Sequence, residues 1–399
     1  MSRKVCIVTG SRAEFGLLRR LMAEIRDHVE LELQVIATGA HLSPEFGLTF
    51  REIEAAGFNI DEKVEMLLGS DTRTAVTKSM GLGLIGLAGA YQRLRPDLVV
   101  VLGDRYEIFA AAAAATILGI PIAHIHGGEV TEAAFDDAIR HAVTKMSHLH
   151  FVATEEYRGR VIQLGEHPCR VFNVGGLGVD AIRNIKLLGK EELEQSLGIK
   201  FAERSILVTF HPVTLEQDGG AASQLRELLA ALDELSSTTL IFTMPNADND
   251  GRLLGSMVHE FAEAHENASV FQSLGQLRYL STLAVVDGVV GNSSSGLTEA
   301  PTFKIGTVNI GDRQKGRLKA TSVIDCAPTR GSITAALKML YSNEFQAGLA
   351  RASNPYGNGG ASQAITEIFA EYSLADLLKK GFHDLPVGCV MRGDHEVLA

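Results

Sequence analysis

Short β-branched or apolar runs alternate with stretches of helical spacing along almost the whole chain, and few folds accept that pattern. Runs at residues 4–9, 31–38, 98–102, 120–125 and 150–153 are separated by helix-patterned segments such as 14–27 and 136–146. Alternation of this kind builds βαβ units and a parallel sheet. A second series begins near residue 205, with strands expected at 205–209, 238–243, 269–271, 283–290 and 304–310. The expectation is therefore an α/β chain of two facing Rossmann-like domains, with ligands held in the cleft at the carboxyl ends of the strands. Three glycines in Asn173-Val174-Gly175-Gly176-Leu177-Gly178 mark the seam. That places the first domain at 1–174 and the second at 175–360, with a helix over 361–378 crossing back onto the first. From Phe382 the periodicity is low and a loop or tail is expected.

A chain of 399 residues, 46% hydrophobic with 40 glycines, is long enough for two cores. The net charge of −11 and the absence of a long Lys/Arg run argue against a nucleic-acid partner. Cys6, Cys169, Cys326 and Cys389 have neither metal-ligand nor redox spacing, which fits reduced thiols in the cytoplasm. The longest apolar stretch, 108–123, is broken by Pro121 and is short for a membrane span. A strand pattern starts almost at the first residue, leaving no room for a signal peptide. Gly81-Leu82-Gly83-Leu84-Ile85-Gly86 superficially fits a dinucleotide fingerprint, but it lies within helical spacing with no strand before it. Close approach of two helices explains those glycines better.

Polar residues collect at the expected strand ends. Gly291-Asn292-Ser293-Ser294-Ser295-Gly296 follows an apolar run and precedes Leu297-Thr298-Glu299, so it reads as a strand opening into a hydroxyl-rich turn and a helix. Hydroxyls and unpaired N–H groups at a helix N-terminus suit a phosphate, with Glu299 a turn further in beside a sugar hydroxyl. An ordinary helix cap uses the same residue types. Asp104, after Gly103, is either an acid or base at the cleft mouth or the cap of the next helix. His124 and His126 point the same way if their strand persists, with Glu129 close behind. Zinc needs three or four converging ligands, and no partner set accompanies them, so no metal is expected and proton transfer by His126 is the better reading. Asp136–Arg140 and Asp137–His141 have the spacing of helical surface pairs. His211, before Pro212, is either structural or a hydrogen-bond partner for a leaving diphosphate. Arg12, Arg313, Lys315 and Arg317 add positive charge nearby.

Together Thr9-Gly10-Ser11-Arg12-Ala13-Glu14, Gly103-Asp104-Arg105-Tyr106-Glu107, His124-Ile125-His126-Gly127-Gly128-Glu129, Asp136-Asp137-Ala138-Ile139-Arg140-His141, Phe210-His211-Pro212, the serine loop and Ile310-Gly311-Asp312-Arg313-Gln314-Lys315-Gly316-Arg317 resemble the hydrolysing UDP-N-acetylglucosamine 2-epimerases of bacterial sialic acid synthesis. The resemblance spans nearly all of residues 1–370. It implies the two-domain GT-B fold, no cofactor, a homo-oligomer (dimer or tetramer), and conversion of UDP-N-acetylglucosamine and water to N-acetylmannosamine and UDP through 2-acetamidoglucal. By that resemblance Asp104 and Asp136 are acid/base candidates and His211 assists the diphosphate. Arg12, Ser293, Ser294 and Arg313 would hold phosphates, with Ser295 beside them, Glu299 on the ribose, Asn246 nearby, and Arg105 and Arg140 lining the substrate cleft. Some relatives carry Glu where this chain has His126, so either His126 or Glu129 takes that role.

A sub-branch sharing these motifs acts on UDP-2,4-diacetamido-2,4,6-trideoxyglucose on the way to legionaminic acid. Non-hydrolysing epimerases return UDP-N-acetylmannosamine instead; His124–Glu129 and the serine triplet favour the hydrolysing branch. A GT-B glycosyltransferase would need an acceptor. A non-catalytic UDP-sugar binder would not need so many ionisable groups at strand ends.

Overall fold

Strands that are apolar at every position, not only at alternate ones, belong in sheets covered on both faces, and both sheets here are built from such strands. The computed structural model describes residues 2–70, 72–131, 136–211, 220–235, 237–244 and 251–386. Among these, seven strands form the first sheet: β1 (Arg3–Thr9), β2 (Leu31–Thr38), β3 (Glu62–Val64), β4 (Leu98–Leu102), β5 (Ile122–Ile125), β6 (Leu149–Val152) and β7 (Val171–Asn173), in the order β3-β2-β1-β4-β5-β6-β7. The second sheet has six: β8 (Arg204–Thr209), β9 (Thr238–Thr243), β10 (Ala268–Phe271), β11 (Gly288–Gly291), β12 (Gly306–Ile310) and β13 (Val323–Cys326), in the order β10-β9-β8-β11-β12-β13. Every neighbouring pair is parallel.

Both orders reverse direction once, between β1 and β4 and between β8 and β11. Crevices open at such switch points, and they are where ligands of doubly wound sheets bind. The residues leaving these four strands are Gly10-Ser11, Gly103-Asp104, Phe210-His211 and Asn292-Ser293.

The helix Arg12–Asp27 starts on Ser11, whose hydroxyl accepts from the Glu14 N–H, and buries Phe15, Leu18, Met22 and Ile25 against the first sheet. The helix Ala361–Glu371 packs into that same core, with Phe369 set edge-on to Phe151 at 5.3 Å between ring centres. It ends at Glu371, earlier than the spacing suggests. The chain then runs on as a packed strap, Lys380 donating to the carbonyls of Lys145 and Ser147 and the His383 N–H to Gly165. At the seam, the helix Leu177–Asn184 joins both halves: Leu177 lies in the first core and Ile182 in one of the second.

Two expectations from the pattern need correcting. The apolar run 283–290 is not one strand: Leu283 ends the helix Gly275–Leu283, and only Gly288–Gly291 is extended. The polar Asp287 is the turn, its carboxylate accepting from the Ser205 N–H at 2.7 Å. The edge strands β3 and β13 lie outside the expected runs, because each is three or four residues long with few buried side chains. Gly83 and Gly86 sit in the helix Arg73–Leu94, where a Cβ would come within 2.9 Å of Met66 and 2.6 Å of Val64 respectively. Among the described residues no helix is long and apolar enough to cross a membrane.

Candidate active site

Gly103 turns the chain sharply out of β4, and the helix Tyr106–Ile117 is capped by Arg105, so Asp104 is not the helix cap. Its carboxylate accepts instead from Arg140. Arg140 is 2% exposed and fully engaged: it also donates to Asp137 at 2.9 Å, to the Glu129 carbonyl at 2.8 Å and to Thr131 at 3.1 Å. The helix Asp136–Met146 thus presents a buried charge cluster, not the surface pair its spacing suggests. Asp137, one residue past the expected Asp136, is the side chain that orients the guanidinium and also lies 3.4 Å from His141. Asp136 begins the helix beside it.

The strand β5 stops at Ile125, and His126 follows with a left-handed backbone, φ 66°, uncommon outside glycine. The two histidines therefore separate. His124 is fully buried, Nε2 against the Gly103 carbonyl at 2.8 Å and Nδ1 against Thr144 at 3.1 Å, and burial pulls its pKa down to about 3. It is a neutral structural link. His126 turns its Nδ1 to Glu129, 3.4 Å away, and its buried Nε2 has no hydrogen-bond partner among the described residues. Gly128 makes this bend possible: at φ 79° a Cβ would lie 2.4 Å from the Tyr157 carbonyl. Burial lowers the basicity of His126 although Glu129 supports its charged form. Burial works against an ionised Glu129 too, but Arg317, His126 and Arg140 together hold its pKa below the usual carboxylate range. Arg317 belongs to the second half, and its Nη2 stands 3.6 Å from the Glu129 carboxylate.

Opposite, Gly291 ends β11 with φ 139°, where a Cβ would be 2.0 Å from the Thr209 carbonyl. That close approach lets Asn292 reach His211: the Asn292 side chain accepts from the His211 N–H at 2.7 Å and donates to its carbonyl at 2.9 Å. The Asn292 carbonyl in turn accepts from Arg313 at 3.0 Å and Gln314 at 2.8 Å. Burial, with Arg313 nearby, lowers His211 to about 4, so it is neutral near pH 7, and its buried Nδ1 has no partner among the described residues. The serine loop departs from expectation in one respect. Its helix, Ser295–Thr298, is a single turn followed by the 3₁₀ turn Ala300–Phe303, so the hydroxyls of Ser293 and Ser294 and the Arg313 guanidinium, not a helix dipole, are what it offers an anion. Tyr279 donates to Ser295 at 2.7 Å and Ser295 to Glu299, whose pKa burial raises.

Arg12 crosses the cleft to donate to Ser273 at 2.6 Å, and Gln276 donates back to the Gly16 carbonyl at 3.0 Å. Arg105 is folded onto Glu107 through two bonds of 2.8 and 3.2 Å and lies 3.8 Å from Glu14. Asn246 lies outside the described residues. Among those described, no three His, Cys, Asp or Glu side chains converge as a metal site.

With this arrangement in view, the sequence profile of the UDP-N-acetylglucosamine 2-epimerase family matches residues 23–370. The chain belongs to that family. This epimerase-family chain is 44% identical to the GDP/UDP-N,N'-diacetylbacillosamine 2-epimerase (hydrolyzing) of Campylobacter jejuni, over 86% of its own length and 89% of the relative's. It is 39% identical to the polysialic acid biosynthesis protein P7 of Escherichia coli, over 96% and 98%. A crystal structure of the Neisseria meningitidis UDP-GlcNAc 2-epimerase bound to UDP-GlcNAc superposes with a TM-score of 0.81, at 19% identity, covering 92% of this chain and 99% of that one. That likeness, at low identity, establishes the shared two-sheet fold, GT-B in type.

Within the epimerase-family motifs, three residues have a specific role in the structure that the sequence does not assign. Asn292 stands between the glycine and the serines, and its position directly after an apolar strand was its signal. Glu14, in the first turn of its helix, is 7% exposed, accepts from the Gly10 N–H at 2.6 Å, and is pushed up to about 7 by burial, against Arg105 and with Glu107 adding to the rise. Arg317 looked like one of several loop cations, and no spacing rule connects it to Glu129, 188 residues earlier by subtraction of their numbers.

Proposed function

We propose that this chain hydrolyses and epimerises a UDP-linked 2-acetamido sugar, releasing UDP and the free sugar inverted at carbon 2. The observation that carries the reading is the buried Nε2 of His126, without a partner among the described residues, backed by Glu129 and set in the same cleft as the Asp104–Arg140 pair and the serine loop. A neutral imidazole whose Nδ1 faces a carboxylate presents Nε2 as a proton acceptor. In the first step the bond from carbon 1 to the diphosphate breaks, the carbon 2 proton passes to His126, and a 2-acetamidoglucal forms. In the second, a proton is delivered to carbon 2 on the other face while water adds at carbon 1 and loses a proton. Asp104, with Asp136 beside it in the family pattern, handles those two transfers. Arg313, Ser293, Ser294 and Arg12 take the diphosphate, Ser295 and Glu299 the ribose, and Arg105, Arg140 and Asn246 complete the cleft. His211, neutral, donates a hydrogen bond to the departing phosphate instead of a charge.

Two sugars fit this chemistry, since both carry the acetamido group at carbon 2. UDP-N-acetylglucosamine is one. UDP-N,N'-diacetylbacillosamine is the other, and the 44% identity to an enzyme named for it favours that substrate. Proton NMR of the protein with each sugar nucleotide in deuterated water tests both. Free sugar deuterated at carbon 2, with UDP released and no acceptor present, is the expected product, and the faster substrate names the branch. Absence of turnover on either sugar returns the glycosyltransferase and binding-protein readings.

A further inference from the structure

Arg317 is anchored on both sides. Upstream, the loop after β12 is tied to the serine loop, because Arg313 and Gln314 both donate to the Asn292 carbonyl. Downstream, the Leu318 N–H reaches the Tyr157 hydroxyl of the first half at 3.4 Å, and Tyr356 donates to the Leu318 carbonyl at 3.1 Å. Between these anchors the guanidinium enters the first half and faces Glu129. A carboxylate as buried as Glu129 needs a cation nearby to stay ionised. Arg140 donates to Asp104, Asp137, Thr131 and the Glu129 backbone, so the groups that directly face the carboxylate are His126 and Arg317, while Arg140 acts on it through its charge alone.

We propose that Arg317 is a positioning residue for the His126–Glu129 pair, carried across the cleft by the loop that also frames the phosphate cradle, so that the proton acceptor is set up when the two halves are joined. This rests on the proposed function for the role of His126. One carboxylate oxygen of Glu129 faces His126 Nδ1 at 3.4 Å and the other faces Arg317 at 3.6 Å. Both separations are long for hydrogen bonds, so at this spacing the two groups act on the carboxylate mainly through charge. Without Arg317, the carboxylate loses its fixed orientation and the imidazole loses a repelling cation. The charged groups facing His126 are Glu129, Arg317, Arg140 and Asp104.

The test is the full-length protein carrying Arg317→Gln, with Arg317→Lys alongside. The acid limb of kcat/KM against pH reports the free enzyme's base; in Arg317→Gln the charge of Arg140 still favours an ionised Glu129, so the lost repulsion moves the limb to higher pH, by about half a unit or more. We expect kcat to fall roughly tenfold or more, UDP affinity to stay within about twofold, and Arg317→Lys to restore most of the pH profile. Carbon-13 NMR titration of His126 without substrate should show the same upward shift, so this part is read even if neither sugar turns over. An unmoved limb and an unmoved His126 titration overturn the proposal, as does a loss of UDP affinity that accounts for the whole loss of rate.

Discussion

Asn292 grips His211 by both backbone polar groups, taking its N–H and giving to its carbonyl, as a neighbouring strand would. This extends the order of the β8–β11 pair beyond its last ladder contact at Thr209 and Gly291, by one residue on the β11 side and two on the β8 side. The backbone that carries the imidazole is thereby held in a fixed place beside the serine loop. Replacing Asn292 by Ala removes two bonds to buried backbone. The expected cost is about 2 kcal/mol in urea unfolding, together with weaker UDP binding in calorimetry. Full stability and full affinity in this variant would show that the bracket is incidental.

Arg313 shares the Asn292 carbonyl with Gln314, so its removal leaves that carbonyl satisfied. Arg313→Ala should therefore fold normally and lose a charged contact to diphosphate, weakening UDP roughly tenfold. Calorimetry with UDP and with uridine separates the two parts of the ligand. If uridine weakens as much as UDP, the guanidinium does not read phosphate.

The main strands and their alternation with helices follow from residue patterns that act locally; the strand order that creates the two switch points does not. Runs such as Thr238–Thr243 consist of apolar or β-branched residues throughout, and their ends must open into loops. The polar residues at those ends were therefore legible as a group. What each does was not. The expected pairing of His124 with His126 assumed a continuing strand, and one left-handed residue reversed it. The Asp136–Arg140 spacing identified the right helix but not Asp137 as the orienting carboxylate, because a difference of one position rotates a side chain by about a quarter turn. Arg317 joins Glu129 only through the meeting of two sheets, which is tertiary information with no local trace.

Asp104 receives Arg140 and stands at the cleft, so Asp104→Asn keeps the side-chain shape while ending its use as a proton acceptor. Turnover should fall by about a hundredfold or more, and UDP affinity should stay within about twofold, since Asp104 is not among the residues proposed to hold the diphosphate. Rapid-mix measurement of UDP release, with calorimetry on the same preparation, gives both values. A variant that turns over like the parent removes Asp104 from the mechanism.

Glu14 supplies a test that is independent of the reaction. Its folded pKa of about 7 lies above its ordinary 4.5, chiefly through burial. The folded protein thus holds a proton that the unfolded chain releases at lower pH. The stabilising contribution is fully present below pH 4.5 and is lost as pH rises through about 7. Glu14→Gln stays neutral at every pH and can still accept from the Gly10 N–H. Between roughly pH 5 and pH 8 the variant should gain about 2 kcal/mol on the parent in urea unfolding, other titrations cancelling in the difference. A difference that stays flat with pH means that Glu14 is ionised throughout, with Arg105 outweighing the burial and the neighbouring Glu107.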